Sequence, residues 1–358
     1  MYRPRQKSLL ELANDAAMQT EGLTYASSGV DIDLKSSFIR TVVKELRFSR
    51  RTFRPAIGVG HFTSAIRIGS RLLTLSTDGV GSKMLIARKL NKWDTVGIDC
   101  IAMNVNDTIC IGAEPIAVVD YIATPKIEME IASAIGKGLN RGAARANVTV
   151  VGGEVAVLTD MLNEVDLSGS CLGIVEKKKM VTGNTIRAGD KIIGLASSGL
   201  HSNGFTLVRR LLENGLLDLD AKIGNKTLAE IIMSPTRIYV REVLDALRSG
   251  GITGLANITG GGMRNIIRLN DRMHFRIHSL PRIPEIFSLI AETGKVSDRE
   301  MFQTFNMGVG FIVVCREDSC EKVIKRLKKN GVSAFEIGSV EKGSGLTLVD
   351  HDIHYNAY

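Results

Sequence analysis

The apolar runs of this chain repeatedly stop at glycine, and no other feature of the sequence constrains its fold as much. RLLTLST (71–77) runs into Asp78-Gly79-Val80-Gly81-Ser82-Lys83, and NVTVV (147–151) into Gly152-Gly153-Glu154. KIIGLAS (191–197) leads into Ser198-Gly199-Leu200-His201-Ser202-Asn203-Gly204, while Ile258 leads into Thr259-Gly260-Gly261-Gly262. The runs are short and rich in leucine and β-branched residues, as buried strands are. Glycine supplies 36 of the 358 residues. Glycine loops let the backbone approach a ligand, and a helix that follows adds its positive end, so such junctions suit anions.

Between these strands the spacing turns helical. DTVGIDCIAMNVNDTICIG (94–112) has apolar residues at helical intervals and a terminal glycine cap, and a second helix is expected over 128–145. IAVVDYIA (116–123) and VDLSGSCLGIV (165–175) read as further strands, which makes about four over 71–175. After Lys177, Lys178 and Lys179 the pattern restarts. Helices are expected over 205–212, 237–248, 263–269 and 318–330, with strands over 191–197, 308–315 and about 335–340. Residues 1–60 read as a helical lead-in followed by the irregular segment RPAIGVGHF (54–62). The expectation is two α/β domains, 1–176 and 177–350, with the boundary near 176–182 and a polar tail at 351–358.

Composition removes whole classes. With 44% apolar and 23% charged residues the chain is not disordered. Its apolar stretches fall short of the ~18–20 residues that span a bilayer, and MYRPRQKSLLELAND has no apolar run of the kind a secretory signal needs. The five cysteines form no CxxC pair, so a disulfide framework or zinc ribbon is not expected and a reducing, cytoplasmic setting is. Forty-six basic against 38 acidic side chains leave +8, a solvated surface bias that also suits phosphorylated small molecules. No nucleic-acid motif accompanies it, so neither nucleic acid nor membrane is an expected partner.

Three carboxylates stand among the glycine loops: Asp78, Asp107 in the helix segment Asn104-Val105-Asn106-Asp107, and Glu154. Singly each is a turn residue or a solvated acid; together they meet the usual needs of a magnesium–nucleotide site, with Lys83 available to phosphate. A P-loop is excluded because no GxxxxGK[ST] string exists, and no strand–helix junction carries GxGxxG. The loops 198–204 and 259–262 are the sharper anion sites, with close helix–strand packing as the alternative reason for consecutive glycines. His201 is open to two readings, a base or a loop hydrogen-bond donor. His274 and His278 fall in an extended segment where a metal pair is not expected, and His351 and His354 in the tail read as solvated.

Taken in order, YASSGVDI (25–32), STDGVGSK (76–83), DTVGIDCIAMNVNDTICIGAEP (94–115), VVGGE (150–154), GLASSGLHSNGFTLVRR (194–210), SPTRIYV (234–240), ITGGG (258–262) and TFNMGVGF (304–311) resemble the phosphoribosylformylglycinamidine cyclo-ligases. The resemblance spans nearly the whole chain. It implies a homodimer in which four-stranded N-terminal sheets pair into a closed barrel, and a C-terminal mixed α/β domain on the substrate side. It implies use of ATP and Mg2+ to close the ring of formylglycinamidine ribonucleotide, giving aminoimidazole ribonucleotide, ADP and phosphate. Asp78, Asp107 and Glu154 would hold the metal, and Asp78, Gly79, Gly81, Ser82, Lys83, Asn106 and Asp107 would meet ATP or its phosphates. Ser198, Gly199, His201, Ser202, Asn203, Gly204, Thr259, Gly260, Gly261 and Gly262 would cradle the phosphorylated ribonucleotide, with Lys83 and His201 closest to the chemistry. The chain departs from the family at Ala26, where lysine is common, at Ile57–Phe62, and in GGEVAVLTD, where the family often reads GGETAEMPG. A small-molecule kinase of the same superfamily and a non-catalytic nucleotide-binding regulator are the alternative readings.

Overall fold

The computed structural model describes residues 32–58 and 60–358. The expected lead-in before residue 32, with Ala26 and most of YASSGVDI, lies outside them. The first half contains α1 (Ile32–Glu45), β1 (Ser64–Ile68), β2 (Arg71–Gly79), α2 (Lys83–Leu90), α3 (Val96–Ile109), β3 (Glu114–Thr124), α4 (Met129–Ala146), β4 (Thr149–Val157) and β5 (Asp166–Glu176). Its sheet has five strands in the order β1-β2-β5-β3-β4. Only the β3–β4 pair is parallel, since α4 carries the chain back across the sheet between those two strands. The sheet does not close into a barrel within the chain.

Two expectations are corrected here. The four strands expected over 71–175 are present, but the sheet has a fifth, where the resemblance implied four: β1 is a short edge strand with one buried residue, Ala65, and lacks the apolar signature of a core strand. The second correction concerns Gly152-Gly153-Glu154, which was expected to follow the end of the strand. These residues lie inside β4, which runs on to Val157 along the other sheet edge.

Helix α3 covers one face of this sheet and is buried along almost its whole length. It meets α4 at close range: a Cβ on Gly97 would lie 2.3 Å from the Leu139 backbone nitrogen, and one on Gly142 would lie 2.9 Å from Ile101 Cβ. Glycine at both places permits this approach, and the apolar atoms it removes from water stabilise the pair.

The second half contains β6 (Lys191–Ala196), α5 (Phe205–Glu213), the small hairpin β7 (Lys222–Ile223) and β8 (Lys226–Thr227), α6 (Leu228–Ile232), α7 (Val240–Leu247), β9 (Ile252–Asn257), β10 (Met273–Ile277), α8 (Glu285–Gly294), α9 (Asp298–Thr304), β11 (Val309–Cys315), α10 (Cys320–Lys329), β12 (Ala334–Lys342), β13 (Gly345–Leu348) and β14 (Ile353–Tyr355). Seven strands form the second sheet, in the order β14-β13-β10-β12-β6-β11-β9. Every residue of β11 is buried, as its unbroken apolar composition requires of a central strand. The helix expected over 263–269 is a 3-10 helix, Gly262–Leu269. The tail is not a solvated appendage: β14 pairs with β13, and Ile353 and Tyr355 are buried.

Candidate active site between the two sheets

Helix α3 is the hub of the seam between the two sheets. A buried helix must give each polar side chain a partner, and its four central polar residues find them in three directions. Asn104 donates through Nδ2 to the Asp78 carbonyl at 3.2 Å, towards the first sheet. Asp99 accepts from the Thr236 backbone N–H at 2.7 Å and its hydroxyl at 2.6 Å. Asn106 donates to the Arg237 carbonyl at 2.8 Å and accepts from the Tyr239 N–H at 3.0 Å. Asp107 accepts from Asn257 Nδ2 at 2.8 Å, at the end of β9 where the 259–262 loop begins. Asn106, expected among the phosphate contacts, is thus committed to the backbone of the 237–239 segment.

Lys83 was expected to meet phosphate, and the structure gives it other partners. Its ammonium is fully buried, 2.8 Å from Asp99 Oδ2, and donates to the carbonyls of His201 at 3.1 Å and Ser234 at 2.9 Å. Three partners use its three donors. Burial lowers its pKa, while the charge and hydrogen bond of Asp99 oppose that shift. Nearby, Ser82 meets Thr206 at 3.2 Å through their hydroxyls. These residues join the two halves of the chain in this structure.

The carboxylates divide between the two faces of the first sheet. Asp78, Gly169 and Asp120 are register neighbours across β2, β5 and β3, and Gly153 of β4 continues the row. A Cβ on Gly153 would meet Asp120 Oδ1 at 2.6 Å, and one on Gly169 would meet Cys100 Sγ of α3 at 3.0 Å, so this row faces the helix. Glu154 is paired with Tyr121 one position along and so belongs to the opposite face, where it is exposed. Asp78 and Asp107 are close enough to repel. Asp107 has its pKa pushed up to about 7, first by burial and then by Asp78, against the Asn257 hydrogen bond and the Arg268 charge. Glu154 is therefore separated from the other two acids expected to form a metal set. Among the described residues no group of three or more His, Cys, Asp or Glu side chains is placed to hold a metal.

The two glycine loops do come together. Asn203 Oδ1 lies 3.5 Å from where a Cβ on Gly260 would be. His201 sits between them and the core, buried, at φ +61°. Its Nε2 accepts from the Ser198 N–H at 3.2 Å, which ties the ring to its own loop. Burial, then Lys83 and Arg237, push its pKa down to about 3 and keep it neutral. Ser202 meets Thr236 at 3.1 Å, and Ser198 donates to the Pro235 carbonyl at 2.7 Å. The 198–204 loop thus rests on the segment that Asp99 and Asn106 hold.

Sequence reasoning missed Asp99, Asp120, Asn257 and Arg268. Asp99 carried the same signal as Asp107, an acid within an apolar helix. Asp120 alternates with apolar neighbours in a strand and gave none. Arg268 donates to the carbonyls of Gly60 and His61, both at 2.9 Å, and so ties the 57–62 segment to the 3-10 helix behind the 259–262 loop.

The comparisons with known proteins agree with this arrangement. Residues 61–175 match the N-terminal domain of AIR synthase related proteins, and residues 187–351 match their C-terminal domain. The fold and the paired loops thus define the class as AIR synthase related. The phosphoribosylformylglycinamidine cyclo-ligase of Methanocaldococcus jannaschii is 50% identical over 322 residues, which cover 89% of this chain and 92% of that protein. A solved structure from Thermus thermophilus is similar with a TM-score of 0.65 at 19% identity, over 90% of this chain and 99% of that one. ThiL complexed with AMPPCP and TMP gives 0.62 at 18% identity, over 89% and 93%. The chain belongs to the phosphoribosylformylglycinamidine cyclo-ligase family, enzymes that act as ligases in purine biosynthesis.

Proposed function

We infer that the chain closes the imidazole ring of formylglycinamidine ribonucleotide at the expense of ATP, with aminoimidazole ribonucleotide, ADP and phosphate as products. The observation that carries the site assignment is the Asp107–Asn257 contact at 2.8 Å. It brings the acidic end of the first domain against the root of the 259–262 loop of the second. ATP phosphorylates the formyl oxygen, which becomes a good leaving group, and the ribosyl-bearing amidine nitrogen then attacks the formyl carbon. Phosphoryl transfer of this kind needs alignment and charge neutralisation more than covalent help.

In this reading Asp78, Gly79 and Gly81 present the nucleotide side of the seam. Asp78 and Asp107 fit a Mg2+ ion, because the charge of Asp78 raises the proton affinity of the buried Asp107 and a cation would relieve it. When bound, the ion would neutralise phosphate charge. The ThiL structure solved with AMPPCP supports a nucleotide in this fold. Thr259, Gly260 and Gly261, with Ser202, Asn203 and Gly204, cradle the phosphorylated ribonucleotide. His201 is a positioning residue that holds Ser198 and the loop rather than a base. Lys83 acts through the same loop by binding the His201 carbonyl.

The assembly belongs to the reading as well. The face of the first sheet opposite α3 exposes Leu75, Val119 and Tyr121. An apolar sheet face of that kind is covered when a second copy packs on it, so the working form is a homodimer. No described helix is long and apolar enough to cross a membrane, and a cytoplasmic setting suits the chemistry. The test is ADP release on adding formylglycinamidine ribonucleotide, compared with thiamine monophosphate and with no substrate. Release with thiamine monophosphate alone would replace this reading by the kinase.

A further inference from the structure

We propose that Arg264 is the cation that binds the phosphate of the ribonucleotide at the Gly260–Gly262 loop; this rests on the assignment of that loop to the substrate. Arg264 lies in the first turn of the 3-10 helix Gly262–Leu269, and its backbone N–H bonds to the Gly261 carbonyl at 3.2 Å, so the loop itself fixes its position. Its guanidinium stands 5.8 Å from the ring of Tyr355 and 5.9 Å from that of Tyr358. The Tyr358 ring in turn lies 3.1 Å from where a Cβ on Gly261 would be. Guanidinium, tyrosine ring and glycine loop form one cluster, brought together because β14 carries the chain end back over the loop.

The bonding of Arg264 sets it apart from other arginines of the second half. Arg268 flanks the same Tyr358 ring at 5.1 Å, but spends its N–H groups on Gly60, His61 and Asn265. Arg316 and Arg326 are paired with Asp190 and Asp245 at 2.8 and 2.7 Å. Among the described residues Arg264 makes no ion pair and no side-chain hydrogen bond, and its Nε is buried without a partner. Contact with aromatic faces orients a guanidinium while leaving its in-plane donors free. A buried donor without an acceptor is costly, and a phosphate oxygen would satisfy it. The N–H groups of Gly260 and Gly261 likewise meet no backbone acceptor among the described residues. A buried guanidinium N–H without a partner and two loop N–H groups without a backbone acceptor thus lie in one cluster, which suits a phosphate monoester.

The experiment compares Arg264→Met, Arg264→Lys and Asn203→Ala in the full chain, with KM measured separately for the ribonucleotide and for ATP. Loss of one charge-assisted contact should raise the ribonucleotide KM of Arg264→Met about tenfold or more, with the KM for ATP within about twofold. Arg264→Lys, which keeps the charge but not the fork, should recover part of the loss. Inorganic phosphate should compete with the ribonucleotide in the parent enzyme and lose that competition in Arg264→Met. If Arg264→Met does not fold, the phosphate competition is read in Arg264→Lys, where it should weaken. An unchanged ribonucleotide KM in Arg264→Met alongside a raised one in Asn203→Ala would overturn the proposal and leave the loop assignment standing. No change in either variant would overturn both. A rise in the KM for ATP equal to that for the ribonucleotide would place Arg264 on the nucleotide and also overturn it.

Discussion

At the scale of single residues, the seam is held by groups whose charge is confined. Lys83 and Asp99 are both buried, 2.8 Å apart. Removing one partner strands the other charge in the interior. Lys83→Met should therefore cost about 3–5 kcal/mol in denaturant unfolding, and Lys83→Met/Asp99→Asn should recover a good part of it. A loss of turnover with unchanged stability would instead restore Lys83 to the phosphate. His201 ties stability to pH. In the fold its pKa is pushed down to about 3, by burial first, so between about pH 6.5 and 3 the unfolded chain takes up a proton that the folded one does not. The stability it contributes is complete above pH 6.5 and is lost as pH falls through that window. His201→Asn, with a residue that tolerates the positive φ, should show a shallower fall in Tm from pH 7 to pH 4. Parallel melting curves for the two proteins would show that the acid sensitivity lies elsewhere.

At the scale of elements, glycine sets how closely they approach. Gly204 closes the 198–204 loop at φ +75°, and a Cβ there would fall 2.0 Å from Phe305 Cε1. Gly204→Ala joins backbone strain to overpacking against a buried ring, so a loss of about 2–4 kcal/mol is expected by chemical denaturation. A change under about 1 kcal/mol would mean that the ring moves aside at little cost. In β4 the effect falls on an acid. Gly153→Ala would push on the Asp120 carboxylate, with consequences on the helix-facing side of the sheet rather than at Glu154. The GGE string resembled a turn because two glycines usually break a strand. In the fold they remain in the strand, and the Asp120 carboxylate fills the space a side chain at Gly153 would take.

At the scale of the whole molecule, the proposed dimer rests on the open sheet face. Leu75 is 55% exposed although it sits in a strand whose other face is buried. A charge there opposes association without disturbing the core, so Leu75→Asp should shift sedimentation from dimer to monomer while the monomer keeps its secondary structure. A parent protein that sediments as a monomer at assay concentration would remove the dimer from the reading. The two halves of the chain are joined through α3, the 234–239 segment and the 57–62 segment bound by Arg268. Substitutions at the seam should therefore register in both halves, and those on the outer face in neither.

The core strands and their glycine loops were legible in the sequence because a buried strand must be apolar and a tight junction needs glycine, and both are properties of residue type. The family followed from the order of those junctions along the chain. β1 and β14 were not legible, since an edge strand buries too little to leave a pattern. Nor were the partners of Lys83, the acceptor role of His201, the separation of Glu154 from Asp78 and Asp107, or the place of Arg264 between two tyrosine rings. Each depends on which face of a strand a residue occupies or on which distant segment packs against it. Residue types along the chain determine what can be buried. Only the tertiary structure, by fixing strand register and the packing of α3 between the sheets, decides which buried group finds which partner.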